Sequence, residues 1–517
     1  MKLKITALLT LLFLLSAVSA THSQIRTVTL LYTNDIESVY KPVEAFWNDE
    51  IGHIGGMQYL ASLINKIRAE EKVSFLFDAG DIFTGALSQT TEGKFPFDVY
   101  SSMKYDAVNL GNHEFEYSWK TLSINMQRAR FPILNSNIFF ENTDIPFCRA
   151  YTILEKDGIR IGVIGLMGLE AFKNTINPIH RKGLEIRDTA PIVQKYVDML
   201  RDEVDLIVVL THQNRSSPMQ TDKEADPEVQ RGFDEDYALA GNLKGVDVII
   251  GGHSDNGLWQ PVRHPKTGTL ICMTFGQSKY LGYLKLEVDK SNKSVALKEG
   301  KLIPVDADKL KPDKSVMELL DKIRTVHPEL TKILAEAKSM GTRKYYKESN
   351  LGNLLADILR KASGADIALM NSGSIRADLI PGNVTVEDVI NIYPFIGKYH
   401  TVEIGGKDLT DLLEYSYTLT YGLVQLSGLT AKYNSKQPPG RRLTEAKINN
   451  IPLDPEKKYT VSCSAFVANG GDGFYMIKNG KLISKSNERM IDAFIRYFEN
   501  EKVISLPAIG RQIDIRE

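Results

Sequence analysis

Ala107-Val108-Asn109-Leu110-Gly111-Asn112-His113-Glu114 (residues 107–114) is a short apolar run that stops at a glycine and then offers an amide, an imidazole and a carboxylate. A run of this length, closed by a turn residue, reads as a buried strand whose end presents polar side chains. The same pattern recurs at Thr33-Asn34-Asp35, Gly80-Asp81, Thr211-His212 and Gly251-Gly252-His253. One such Asp or His is more often a turn former or a satisfied loop residue. Five in order within one half of the chain look like a metal-ligand set, and reading them as a two-metal centre depends on a family resemblance, not on spacing alone.

Working outward, apolar runs at 28–31, 74–77, 107–110, 133–135, 159–166, 206–210 and 246–250 read as buried strands. Amphipathic stretches at 57–68, 97–103, 119–128 and 190–201 read as helices between them. This alternation predicts a layered α/β domain, in which ligands collect at the carboxyl ends of the strands. A further strand region covers 270–305. Residues 315–340 are charged and amphipathic and predict a helix joining two domains. Beyond them, Ser349-Asn350-Leu351-Gly352-Asn353 reads as a helix start, and 367–370, 399–404, 429–433 and 458–463 read as strands. The expected organisation is a leader at 1–20, a first domain at 24–310, a linker helix at 311–341 and an α+β second domain at 342–517.

The chain has 517 residues, 43% hydrophobic content and a formal net charge of −1. That length accommodates two or three domains, and neither the charge nor any basic block suggests nucleic-acid binding. Lys2 and Lys4 precede an apolar run at 5–15, and Val18 and Ala20 sit where a signal peptidase reads small residues, so an exported protein is expected. The run is short for a membrane span, and no membrane anchor is expected. Cys148, Cys272 and Cys463 lack any metal-type spacing, which leaves a metal to be held by His, Asp, Asn and Glu.

These motifs resemble the calcineurin-like metallophosphoesterases, and more closely the secreted two-domain 5′-nucleotidase family, over almost the whole mature chain. The resemblance implies an N-terminal α/β/β/α metallophosphoesterase domain and a C-terminal substrate-binding domain. It implies that Asp35 binds the first metal, that Asp81 bridges both, and that Asn112, His212 and His253 bind the second. His113 would face the phosphoryl group. The implied reaction is hydrolysis of a nucleotide to nucleoside and phosphate by a hydroxide bridging two divalent metals.

The chain departs from the family around this site. The usual Asp-x-His is Asp35-Ile36-Glu37, the neutral ligand two residues after His253 is Asp255, and the Asp partner of the catalytic His is Glu116. Asp35, Glu37, Asp81 and Asp255 would make the first site all oxygen, which favours Mn, Mg or Fe there; Zn or Mn suits the second. Two added carboxylates also make the centre more negative.

In the second domain, Asn371-Ser372-Gly373-Ser374-Ile375-Arg376 resembles the family's Asn-Gly-Gly-Gly-Ile-Arg segment. Arg376, with Asn371, would meet the substrate's anionic groups. Asn469-Gly470-Gly471-Asp472-Gly473-Phe474 resembles the family's Gly-Gly-Asp-Gly-Phe turn, where Phe474 would stack on a nucleobase. The family's second stacking Phe aligns with Leu423 and a second substrate Arg with Thr420, so the clamp would be one-sided. Other readings on the same fold are a cyclic-nucleotide or nucleotide-sugar phosphoesterase or a thiosulfate-ester hydrolase. A reading of another class is a degenerate, non-catalytic nucleotide-binding protein.

Overall fold

The computed structural model describes residues 25–45, 47–214 and 232–516. The expected leader at 1–20 lies outside the described residues. All seven apolar runs of the first half are strands. Ile25–Thr33, Ser74–Asp78, Ala107–Asn109 and Ile133–Leu134 pair in parallel. Tyr280–Asp289 and Ser294–Pro304 extend that sheet antiparallel. Ile159–Met167, Leu206–His212, Val248–Gly252 and Leu270–Cys272 form the parallel centre of a second sheet, with antiparallel strands at both edges.

The two sheets face each other through a dry layer that includes Val28, Leu30, Phe75, Phe77, Val163, Val208 and Ile250. Helices Met57–Glu70, Lys94–Met103 and Lys314–Val326 cover one outer face. Thr189–Leu200 and Asp234–Asn242 cover the other. Each parallel strand is buried on both faces, which is why it reads as a continuous apolar run. The layered α/β/β/α architecture is the expected one.

The linker differs from the expectation. The helix is Lys314–Val326, capped by Asp313, whose side chain accepts from the backbone of Ser315 and Val316. Pro328 then ends it, because proline lacks an N–H and restricts the residue before it. Residues Pro328–Thr331 form a 3₁₀ turn, and Ile333–Ala337 is a strand paired with Gly382–Thr385 and Val503–Ile504. The second unit's sheet therefore starts inside the stretch read as linker.

The second unit carries a five-stranded sheet in the order Gln425–Ser427, Ile367–Met370, Lys458–Ser464, Lys398–Gly405, Lys481–Arg489. Helix Asn350–Ser363 packs beside it, capped by Ser349 as the sequence suggests. The two units share apolar surface and hydrogen bonds. Ala86 N donates to Asn391 Oδ1 (2.8 Å), and Gln89 Nε2 donates to the Pro394 carbonyl (2.9 Å). No helix among the described residues is long and apolar enough to cross a membrane.

Phe77 is fully buried between the sheets. Phe77→Ala is expected to lower the stability of the first unit by about 3–5 kcal/mol, read as a shift of its urea midpoint.

Candidate active site

The ligand-bearing residues sit where strands turn into loops, and the backbone there is unusual. Asp35 (φ 50°), Glu37 (53°), Asp81 (60°), His253 (82°) and Asp255 (58°) are all in the left-handed region. Non-glycine residues adopt it at a cost, and such positions cluster at functional sites. The loops are fastened together. Asp35 N donates to the Gly80 carbonyl and Glu37 N to the Asp81 carbonyl, each at 2.9 Å. A Cβ on Gly80 would lie 2.6 Å from Gly111 N, and one on Gly111 would lie 2.2 Å from Asp81 Oδ1. Only glycines let these two loops approach so closely.

At the centre is the fully buried ring of His212. Its Nδ1 lies 3.1 Å from the Ala79 carbonyl, which accepts from it. Its Nε2 faces Asp81 Oδ2 at 3.0 Å, Asn112 Oδ1 at 3.1 Å and His253 Nδ1 at 3.2 Å. Four atoms with lone pairs converge on one point. That donor set fits a cation held by Asp81, Asn112, His212 and His253. Burial lowers the basicity of His212, but Asp81 and Asp35 outweigh it and hold its pKa at about 9. A proton therefore competes with a metal for Nε2.

Beside this cluster, Asp35 accepts from Asn34 Nδ2 (2.7 Å) and from His253 N (2.9 Å). Asp255 is 7% exposed, and its Oδ1 is buried with no hydrogen-bond partner. Burial and the neighbouring carboxylates Asp35 and Asp81 raise the Asp255 pKa well above the ordinary value. An orphaned carboxylate oxygen among like charges suits a cation, and among the described residues the group gathered closely enough to hold an ion is Asp81, His212 and His253. Glu37, expected among the first-site ligands, is turned elsewhere: its carboxylate ion-pairs with Arg376 of the second unit.

His113 stands next to the cluster. Its Nδ1 is 2.7 Å from Glu116 Oε1, so a Glu at this position does reach the ring. Its Nε2 is 3.9 Å from Asp81 Oδ2 and 3.5 Å from Arg376 Nη2. Burial opposes protonation, but Asp81 and Glu116 prevail and bring its pKa up to about 10. With no cation on Asp81, these neighbours favour the protonated ring. Burial lowers the Arg376 pKa to about 10, which leaves it charged.

A cavity opens from these groups between the two units. Asp81, Asn112, His113, Glu116, His253 and Asp255 line one side; Asn371, Arg376, Phe395 and Phe466 line the other. Asn371 Nδ2 donates to Asp472 Oδ2 at 2.8 Å. Phe474 and Leu423 do not join this lining. Phe474 is 1% exposed and meets Tyr415 edge-on at 5.2 Å, and Leu423 is fully buried in the same core. The ring expected to stack on a base is thus a core residue, and Phe395 and Phe466 supply the aromatic wall.

Sequence reasoning passed over several residues that build the site. Glu114 accepts from the backbone N–H groups of Gly111 (2.5 Å), Asp81 (3.1 Å), Ile82 (2.8 Å) and Phe83 (3.1 Å). It pins the Gly80 and Gly111 loops to each other. Asp236 accepts from Thr211, Gln213 and Asn214 behind His212. Glu114 was visible as the last letter of its motif. Asp236 carries no local signal at all.

The layered fold and the ligand cluster at its strand ends are those of the calcineurin-like phosphoesterase class, and that family model matches residues 28–256. A second model, the 5′-nucleotidase C-terminal domain, matches residues 329–479. An apyrase of Tabanus yao is 27% identical over 94% of this chain and 93% of its own length. A 5′-nucleotidase of Homo sapiens is 26% identical over 97% of this chain and 93% of its own length. The crystal structure of a 5′-nucleotidase precursor from Thermus thermophilus superimposes with a TM-score of 0.83, at 27% identity, covering 95% of this chain and all of that one. The chain belongs to the two-domain 5′-nucleotidase family and is a phosphoester hydrolase. The family implies divalent metals.

Metal binding at the His212 cluster must displace a proton from a group that titrates at about 9. Apparent affinity for Mn²⁺ is therefore expected to weaken as pH falls below that value, by up to about tenfold per unit. Calorimetric titration of metal-stripped protein at pH 6.5, 7.5 and 8.5 checks this; a flat profile would contradict it.

Proposed function

We propose that the chain is an exported 5′-nucleotidase that cleaves the 5′ phosphomonoester of a nucleotide to nucleoside and inorganic phosphate. The observation that carries this reading is the shared cavity. It puts Asp81, Asn112, His113 and His253 opposite Arg376 and an aromatic wall. The names borne by relatives aligned over nearly the whole chain support it, and the leader-like residues 1–20 support export. The oxygen donors Asp35, Asp81 and Asp255 favour Mn, Mg or Fe at the first position. The two imidazoles and the amide suit Zn or Mn at the second.

When bound, the two cations would acidify the attacking water and offset charge on the phosphoryl oxygens. The chain's own groups do the rest. His113 turns Nε2 to the cavity, stabilises the charge that develops on the phosphoryl group and gives its proton to the departing 5′ oxygen. Glu116 holds the other ring proton and so fixes the ring's orientation. Arg376 offers a planar pair of donors to phosphoryl oxygens. In the structure Glu37 accepts from Arg376 and lies 3.9 Å from His113 Nε2. Substrate would therefore exchange one anion for another between two cations, freeing Glu37 to turn toward Asp35 and Asp255. Phe395 and Phe466 give the base a surface to stack on.

His113→Ala is expected to lower kcat on a 5′-mononucleotide about 10²–10⁴-fold with metal content unchanged; wild-type turnover would remove His113 from the reaction. Glu116→Gln removes a carboxylate that holds the His113 pKa up. The alkaline limb of its rate profile should therefore move to lower pH. Arg376→Ala is expected to raise KM with a smaller effect on kcat. A panel of mononucleotides, cyclic nucleotides, nucleotide sugars and an aryl phosphate across Mn, Mg, Zn, Co and Ca decides the substrate. Hydrolysis of none of them, with nucleotide still bound, would favour a binding protein.

A further inference from the structure

A histidine that holds a metal has a second ring nitrogen, and its partner decides how well the first one binds. His253 turns Nδ1 toward the cluster, 3.2 Å from His212 Nε2. Its Nε2 points away, is buried, and has no hydrogen-bond partner. The carboxylate facing that nitrogen is Glu170, with Oε2 at 3.8 Å. Glu170 does not belong to the expected ligand set and does not line the cavity. It stands just ahead of the π-turn Ala171–Thr175, beyond the strand Ile159–Met167 that pairs with the His212 strand.

Glu170 is held from both units. The Tyr421 hydroxyl donates to Glu170 Oε1, Asn174 Nδ2 lies 3.4 Å from the same oxygen and 3.2 Å from the Tyr421 hydroxyl, and the Tyr475 hydroxyl donates to Asn174 Oδ1 at 2.7 Å. One carboxylate oxygen is thus engaged by the second unit while the other faces His253.

We propose that Glu170 is the positioning carboxylate of His253, and that Tyr421 and Tyr475 couple the docking of the second unit to metal binding at the Asp81–Asn112–His212–His253 cluster. A carboxylate accepting from Nε2–H fixes the tautomer that leaves the Nδ1 lone pair free and makes that nitrogen a stronger donor. Tyr421 and Tyr475 keep the carboxylate in place only when the second unit is docked. By linkage, docking then strengthens metal binding, and metal strengthens docking by the same factor. The loop at 420–425, where the substrate-contacting Arg and Phe of relatives are expected, thereby serves the metal instead through Tyr421.

The inference rests on the reading of His253 as a ligand, so the experiment separates the two. Metal-stripped wild type, His253→Ala, Glu170→Ala, Glu170→Gln, Tyr421→Phe and the Glu170→Ala/Tyr421→Phe double variant are titrated with Mn²⁺ alone by calorimetry. Thermal unfolding in chelator is recorded in parallel. Glu170 is 40% exposed in its side chain, so its variants should remain folded, which the unfolding traces in chelator check. Glu170→Ala is expected to weaken one Mn²⁺ equivalent about 10–100-fold, and Glu170→Gln, which keeps an acceptor, less. Tyr421→Phe should weaken the same equivalent, and the double variant should be no worse than Glu170→Ala, because the tyrosine acts through the carboxylate. Wild-type Mn²⁺ affinity in Glu170→Ala, with His253→Ala impaired, overturns the proposal alone. Fully additive losses overturn the coupling. Unimpaired Mn²⁺ binding in His253→Ala overturns the ligand reading and the proposal with it.

Discussion

Burying like charges is the constraint on which the rest of this structure depends. Asp35, Glu37, Asp78, Asp81, Glu114 and Asp255 are each at most 7% exposed, and they crowd the carboxyl ends of two sheets. Unpaired, each would be expensive to keep ionised away from water. Every one but Asp255 is met by something particular. Glu114 takes four backbone N–H groups, and Asp81 takes His113 N at 2.8 Å and the His212 ring. Asp78 takes hydroxyls of Thr33 and Tyr100, and Glu37 takes Arg376. Burial still lifts the Asp78 and Glu114 pKa values to about 7. The charge left over is concentrated where the ligand atoms converge, and a cation is the direct way to satisfy it.

The same constraint explains the local backbone. Left-handed residues at strand ends turn carboxylates and an imidazole inward, where regular extended backbone would carry them past one another. The cost is sustained because the loops are over-determined: Glu114 ties the Gly80 and Gly111 turns, and Asn34 ties Asp35 to Thr274 at 2.7 Å. Rigid sheets behind these loops keep the tolerance small, which a metal site requires. The second unit completes the arrangement with opposite charge. Arg376 reaches the carboxylate edge from across the cavity, so the electrostatics of the site belong to the interface as much as to the first unit.

The strands, the layer order and the ligand cluster were legible because each is written locally. A buried parallel strand is a run of apolar residues, and a ligand at its end is the next polar letter. The stretch at 315–340 was misjudged because its charge pattern continues through Pro328 into a strand whose partners, residues 382–385 and 503–504, lie far away in sequence. The partner Glu37 takes was hidden for a related reason. The spacing of Glu37 from Asp35 suits a ligand, but its contact is set by Arg376, a residue hundreds of positions later whose approach depends on how two units dock. Asp236 and Glu170 were invisible because support for a ligand is fixed by tertiary placement, not by a motif.

Phe474 marks the boundary of what a motif can say. The glycine-rich turn around it is conformationally special, with Asp472 at φ 51°, and that much follows from the letters. The direction of the ring does not. Aromatic rings bury large area wherever a pocket of matching shape exists, and Tyr415 and Leu423 supply one inside the second unit. Leucine at 423 offers an aliphatic neighbour to a core where an aromatic would have offered a second stacking face to a ligand. The rings that border the cavity are others, Phe395 tilted beside His113 at 6.1 Å and Phe466 against Gly471. A wall of this kind gives stacking energy to any flat group and reads no hydrogen-bonding edge. Any reading of a hydrogen-bonding edge then falls to the polar side chains that share the lining, Asn177, Ser464 and Asp472 among them.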